Sequence, residues 1–166
     1  MRRNNGQLII EMMVAVSLLM IGLLGIFAVL SQSLGLNRVA ANQYIAAHLA
    51  AEGIEVTKSI IDANYINGGP WNLGLESDGD YAVEYNSTEL DGSSEKLEAR
   101  LKLDESTGLY TYESGVDTNF KRTITIDNIP DADPTEIKVI SRVYWKDRGG
   151  VDFDIVLEDR FRDWRE

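Results

Sequence analysis

Two hydrophobic rhythms divide the chain. From Leu8 to Leu30 the sequence is apolar on every side: of 23 residues, 19 are apolar, two are glycine, one is serine, and Glu11 is the sole charge. At about 1.5 Å per helical residue such a run spans a bilayer core of roughly 30 Å. Beyond it the apolar positions thin out. Leu34, Ala41, Ile45, Leu49, Val56 and Ile60 recur at helical spacing, with Arg38, Asn42, Glu52 and Lys58 elsewhere. This is one face of a 3.6-period helix. No proline precedes Pro70, so a single helix from Gln7 to about Asp62 is predicted, a rod of roughly 84 Å. Its first half belongs in lipid or a helical bundle, and its second half against a globular layer. Gly22, Gly25, Gly35 and Gly53 weaken it by roughly 1 kcal/mol each relative to alanine. Gly22 and Gly25 also permit close helix packing within lipid.

Asn64-Tyr65-Ile66-Asn67-Gly68-Gly69-Pro70 then gathers helix-breaking and turn-forming residues and ends the helix. After it the period becomes two. Residues 81–85, 97–103 and 109–112 are short candidate strands, and 121–126 (KRTITI) alternates ahead of the proline-bearing loop at 130–134. Ile137, Val139, Val143 and Trp145 share one parity, as do Val151, Phe153, Ile155, Leu157 and Phe161. The two runs flank Lys146-Asp147-Arg148-Gly149-Gly150, a loop suited to a hairpin. The expected fold class is α+β: a long N-terminal helix whose amphipathic half covers one face of an antiparallel sheet of four to six strands. The divisions read from these changes are 1–6, 7–30, 31–63 and 64–166.

Composition narrows the function. The net charge is −11 at pH 7, which argues against phosphate-backbone binding as the main task and makes nucleic acid an unexpected partner. There is no cysteine, hence no disulfide and no thiolate metal site. A secretory signal would have an apolar core of about 7–15 residues followed by a small-residue cleavage site; this run is longer. A signal anchor fits the length, with Arg2 and Arg3 holding the N-terminus in the cytoplasm. It leaves two features unexplained: Gly6 just before the apolar run, and Glu11 within it. A carboxylate inside such a helix costs on the order of 2.5–3.5 kcal/mol.

At Gly6-Gln7-Leu8-Ile9-Ile10-Glu11 the sequence resembles the processing site of type IV prepilins and pseudopilins. That pattern is a short basic leader ending in glycine, followed by an apolar helix with glutamate as its fifth residue. MRRNNG fits the leader, with Arg2 and Arg3 as its charges. The stretch AAHLAAEGIE and the tryptophan near the C-terminus are similar to minor-pilin-like sequences. The resemblance implies cleavage between Gly6 and Gln7 by a membrane prepilin peptidase, and methylation of the new amine. It then implies transfer from the inner membrane into an extracytoplasmic filament on the cell surface. The partners implied are other pilin subunits and a membrane assembly platform with its ATPase. Glu11 would pair with a neighbour's terminal amine; because an unpaired charge is costly in low dielectric, that pair would select one register. Pairing with its own subunit's amine, a favourable place in the helix dipole, or snorkelling at the membrane edge are the simpler roles open to Glu11. Two positions depart from the family. Gln7 stands where phenylalanine or methionine is usual, and an N-terminal glutamine can cyclise and lose its charge. Ala28 stands where many major pilins carry proline, which points toward a minor pilin or pseudopilin. The competing expectation is a single-pass anchored extracytoplasmic binding module that never polymerises.

Catalytic chemistry has little to work with. His48 is the only histidine, so no histidine-based triad or multi-histidine metal site can form, and packing is its expected role. No nucleophile elbow or phosphate loop occurs. An enzyme is not expected, nor a cofactor, nor a metal. The nearest approach to a cation site is Asp131 and Asp133, whose loop setting would suit calcium; Asp152 and Asp154 read as the solvated face of a strand. Trp71, Trp145 and Trp164 are expected in the core or in subunit contacts.

Overall fold

The computed structural model describes residues 5–130 and 135–163. Arg2, Arg3, Asp131, Asp133 and Trp164 lie outside the described residues, and so does the calcium reading of the 130–134 loop.

The first element, α1, is a 62-residue helix, Asn5–Ile66, with the bounds that the absence of proline allows. It stops on a Schellman motif. The amide of Gly69 donates to the Asn64 carbonyl (3.1 Å) and that of Gly68 to the Tyr65 carbonyl (3.3 Å). Gly68 has φ +73°, the left-handed conformation that closes this motif, and Pro70 follows where the helix cannot continue. The Asn64 side chain donates to the carbonyls of Trp71 (3.2 Å) and Leu73 (2.8 Å), which ties the outgoing loop to the helix end. The chain divides into two compact units, Met1–Asn42 and Gln43–Glu166.

The remaining elements follow in chain order: β1 Gly79–Tyr81, α2 Ser94–Glu98, β2 Lys102–Asp104, β3 Leu109–Thr111, β4 Val116–Asp117, β5 Phe120–Ile129, β6 Glu136–Lys146 and β7 Asp152–Arg162. They form two sheets, a four-stranded one ordered β1-β5-β6-β7 and a three-stranded one ordered β3-β2-β4. Every pairing is antiparallel. The hairpin expected at 146–150 is present, pairing Lys146 with Asp152 and Trp145 with Phe153. The predicted strand at 97–103 is corrected: Ser94 to Glu98 form a helical turn, and only Lys102 onward is strand. The predicted strand at 81–85 shrinks to Tyr81, followed by a single bridge from Ala82 to Asp91.

The alternation fixes which sheet face is covered. Ile124, Ile126, Ile137, Val139, Val143 and Trp145 are buried, against Ile54, Val56, Ile60 and Ile61 near one end of the helix face and Ala46, Leu49 and Ala50 near the other. Burying one such isoleucine or leucine contributes about 1.5–3 kcal/mol. The covered face of α1 begins later than the sequence suggests. Leu34 and Ala41 are exposed, and continuous burial starts at Ala46. Small side chains at Ala46, Ala50 and Gly53 bring the helix close to the sheet. A Cβ at Gly53 would stand 2.6 Å from both Ile124 Cδ1 and Ser141 Oγ.

Candidate functional site

The residues singled out for processing and assembly lie in the first turns of α1. Gly6 and Gln7 are its second and third residues, so the bond between them sits where a helix frays most readily. Nothing lies within 4 Å of a Cβ placed on Gly6. Glu11 follows Gln7 by four positions, one helical turn. Every residue from Gly6 to Arg38 is exposed, among them Leu8, Ile21 and Leu24, the last at 70%. A continuous apolar surface of that length calls for lipid or for other helices. The helix is long and apolar enough to cross a membrane.

A second constellation lies beneath the helix. Arg122 is fully buried on the covered face of β5, in parity with Ile124 and Ile126. Its guanidinium donates to the Leu49 carbonyl (2.9 Å), to Glu52 Oε1 (2.8 Å) and to the Val83 carbonyl (2.7 Å). One cation thus ties together α1, β5 and the segment after β1. Its Nε and the nearby Ser141 Oγ have no partner among the described residues. A lone charge in such a place would be expensive, so the pairing fixes where α1 sits on the sheet rather than adding net stability. Arg122 and Gly53 carry the docking of helix on sheet; from sequence alone Arg122 is passed over and Gly53 stands only as a weak point of the helix. The parity of KRTITI held the signal, since it places Arg122 with the isoleucines.

The uncovered face of the four-stranded sheet is lined with cations, and each is matched. Lys121 pairs with Glu98 (3.0 Å), Lys146 with Asp152 (3.2 Å) and Arg142 with Asp154 (3.8 Å), and Lys138 contacts Asp127. Arg160 and Arg162 close over Glu136, and the hydrogen bond from Arg162 holds its carboxyl below the usual range, helped by Arg160. The Tyr144 hydroxyl also donates to Asp152, which lowers that acid. Asp152 and Asp154 therefore form a solvated, ion-paired face. This arrangement presents no free basic stripe to a phosphate backbone.

A polar cleft of about 600 Å³ opens between the 84–92 loop and the small sheet, lined by Glu84, Glu89, Asp91, Lys96, Asp104 and Glu113 among others. Lys96 bridges Glu84 (3.2 Å) and Asp91 (3.3 Å), and its pKa is raised chiefly by the bond to Glu84. Asp91 is lowered by the Ser93 amide, and Asp104 by Ser106 and Thr107. These acids are held by local donors, and among the described residues no three histidine, cysteine or acidic side chains gather around a point where a metal ion could sit. His48 is exposed on α1, edge-on to Tyr44 with ring centroids 4.3 Å apart. Trp71 and Trp145 are buried, in the core as their residue type suggested. Comparison of the chain with protein-family models, with curated proteins and with solved structures finds no match.

Proposed function

We infer that this chain is a structural subunit of a type IV pilin-like filament, most similar in kind to a minor pilin or pseudopilin. The observation that carries the reading is one uninterrupted helix with two environments. Residues 8–30 are apolar and exposed all round, while residues from Ala46 onward are seated on the sheet. The leader spacing adds to it: Gly6 ends a basic hexapeptide, and Glu11 is fifth beyond it. In this reading the prepilin peptidase cuts after Gly6, and the chain waits in the inner membrane with its sheets outside. It then enters the filament through the assembly platform, its apolar segment packing among those of other subunits. The new amine at Gln7 and the Glu11 carboxylate of a neighbour form the pair that sets axial register.

The test is co-expression with a prepilin peptidase and intact-mass measurement of the product. The expected product has lost Met1 to Gly6 and keeps an uncyclised Gln7. Glu11→Ala is expected to be cut normally and to enter filaments poorly. A leader that stays attached overturns the filament reading and leaves the anchored binding module. A mature product that is mostly cyclised overturns the charge pair alone.

A further inference from the structure

The four-stranded sheet ends on β1 at one edge and on the much longer β7 at the other. β7 is eleven residues long and, among the described residues, hydrogen-bonds as a strand only to β6, so no strand lies along its other edge. Edge strands are templates for a further strand. At its far end the Tyr65 hydroxyl donates to the Arg162 carbonyl (3.3 Å), which fixes the strand's position. On the uncovered face β7 shows Asp152, Asp154, Val156, Glu158, Arg160 and Arg162: acids first, bases last. On the other face stand Phe153, Ile155, Leu157, Asp159 and Phe161, all exposed or only half-buried.

We propose that β7 is a docking edge for the β7 of a second copy of this chain, paired antiparallel about Leu157. In that register Asp152 faces the second copy's Arg162 and Asp154 faces its Arg160, each pair occurring twice by symmetry. Phe153 faces Phe161, and Leu157 faces itself. Val156 lies against Glu158 and Ile155 against Asp159, so no like charges meet. Shifting the strands by one step that keeps the faces matched always brings like charges together. Centring on Val156 sets Asp154 against Glu158, and centring on Glu158 sets that residue against itself. Only the Leu157 register overlaps all eleven residues and sets each of Asp152, Asp154, Arg160 and Arg162 against an opposite charge. The side chains keep room for this: Asp152, Asp154, Arg160 and Arg162 are between 53% and 72% exposed beside their partners on β6. The result is an eight-stranded sheet in which the row through Asp152 alternates in charge: Lys146, Asp152, the second copy's Arg162 and its Glu136. Its two-fold axis stands perpendicular to the sheet, so the α1 segments seated on it run in opposite directions. The inference is independent of the filament reading.

The experiment uses the full chain in detergent micelles, with dimer formation followed by analytical ultracentrifugation. Asp154→Arg turns two attractive cross-strand pairs into repulsive ones, and roughly a tenfold or greater rise in the dimer dissociation constant is expected. Arg160→Asp should do the same, and the double variant, which swaps the charges, should return close to the parent. Because the chain has no cysteine, Leu157→Cys gives a single thiol expected to cross-link to itself under mild oxidation. Val116→Cys, exposed on β4, is expected to stay uncross-linked under the same conditions. Far-ultraviolet circular dichroism shows whether each variant keeps the fold. A dimer indifferent to the single reversals, a double variant no better than either, equal cross-linking at 116 and 157, or no dimer at all would each overturn the proposal.

Discussion

The close approach at Gly53 allows a prediction worked from distances. In an exposed helix, Gly→Ala contributes about 1 kcal/mol of stability. Here the added methyl would lie 2.6 Å from Ile124 Cδ1 and Ser141 Oγ and 3.2 Å from Arg122 Cδ. Unstrained carbon contacts lie near 3.5–4.0 Å, so the overlap with Ile124 is roughly 1 Å. The Ser141 hydroxyl can rotate, but Arg122 is held at three points and cannot retreat. Overpacking of this kind costs about 1–3 kcal/mol. The balance for Gly53→Ala is a loss of roughly 0–2 kcal/mol, where the same change at an open helical position would be a gain. Ile124→Val alone costs about 0.5–1.5 kcal/mol but removes the atom that collides. The double variant should therefore be less destabilised than the sum of the singles, by about 1 kcal/mol. Urea unfolding of the full chain in micelles reads this through the fluorescence of the buried Trp71 and Trp145. A Gly53→Ala chain more stable than the parent, or strict additivity with Ile124→Val, would show that helix and sheet are not in tight contact there.

Two further substitutions probe the charges. Arg122→Ala removes three hydrogen bonds and opens a cavity, for a loss of about 3–5 kcal/mol by the same unfolding assay. Arg122→Met fills the space, and Glu52, partly open to water, can solvate itself, so this variant should be about 2 kcal/mol less damaged; equal damage from both would mean that the charge matters more than the volume. Glu136 is held below its ordinary value of 4.5 by Arg162 and Arg160, so its contribution is full above that pH and fades as pH falls through the lower folded value. Glu136→Gln should be less stable than the parent at neutral pH, with the gap closing below about pH 4.5 in pH-dependent urea titrations, whereas a gap that widens in acid would reverse the assignment.

The helix, its stop and the β6–β7 hairpin are local matters, and they are legible in the chain. Proline absence, the Asn64–Pro70 cluster and the Gly149-Gly150 loop act through backbone geometry within a few residues. The covered parity of β6 is equally plain, since Ile137, Val139, Val143 and Trp145 leave no second choice. What escaped was set by tertiary contact. Leu34 and Ala41 fit the helical period yet are exposed, and burial along α1 begins only at Ala46. Arg122 looks like a surface residue by type, and only the Leu49 and Val83 carbonyls and Glu52 make its burial affordable. Leu97 has the look of a strand residue, but the Ser94–Glu98 turn takes it first. Of the residues the proposed filament role uses, spacing alone singles out Gly6, Gln7 and Glu11; the chemistry proposed for them would need a peptidase and a neighbour, which no single chain contains.

The pairing of cations on the uncovered sheet face has a consequence for the charge left over. Between Glu76 and Asp117 there are twelve acids against three bases, a net −9 of the whole chain's −11. The molecule is thus electrically lopsided, near neutral along its long strands and strongly anionic around its small sheet. Copies crowded together would repel through that region over about 8–10 Å at physiological salt, and over longer distances in dilute buffer. Ionic strength would then act as a dial on how closely neighbours can approach, and dilution would loosen any assembly that brings these anionic ends together.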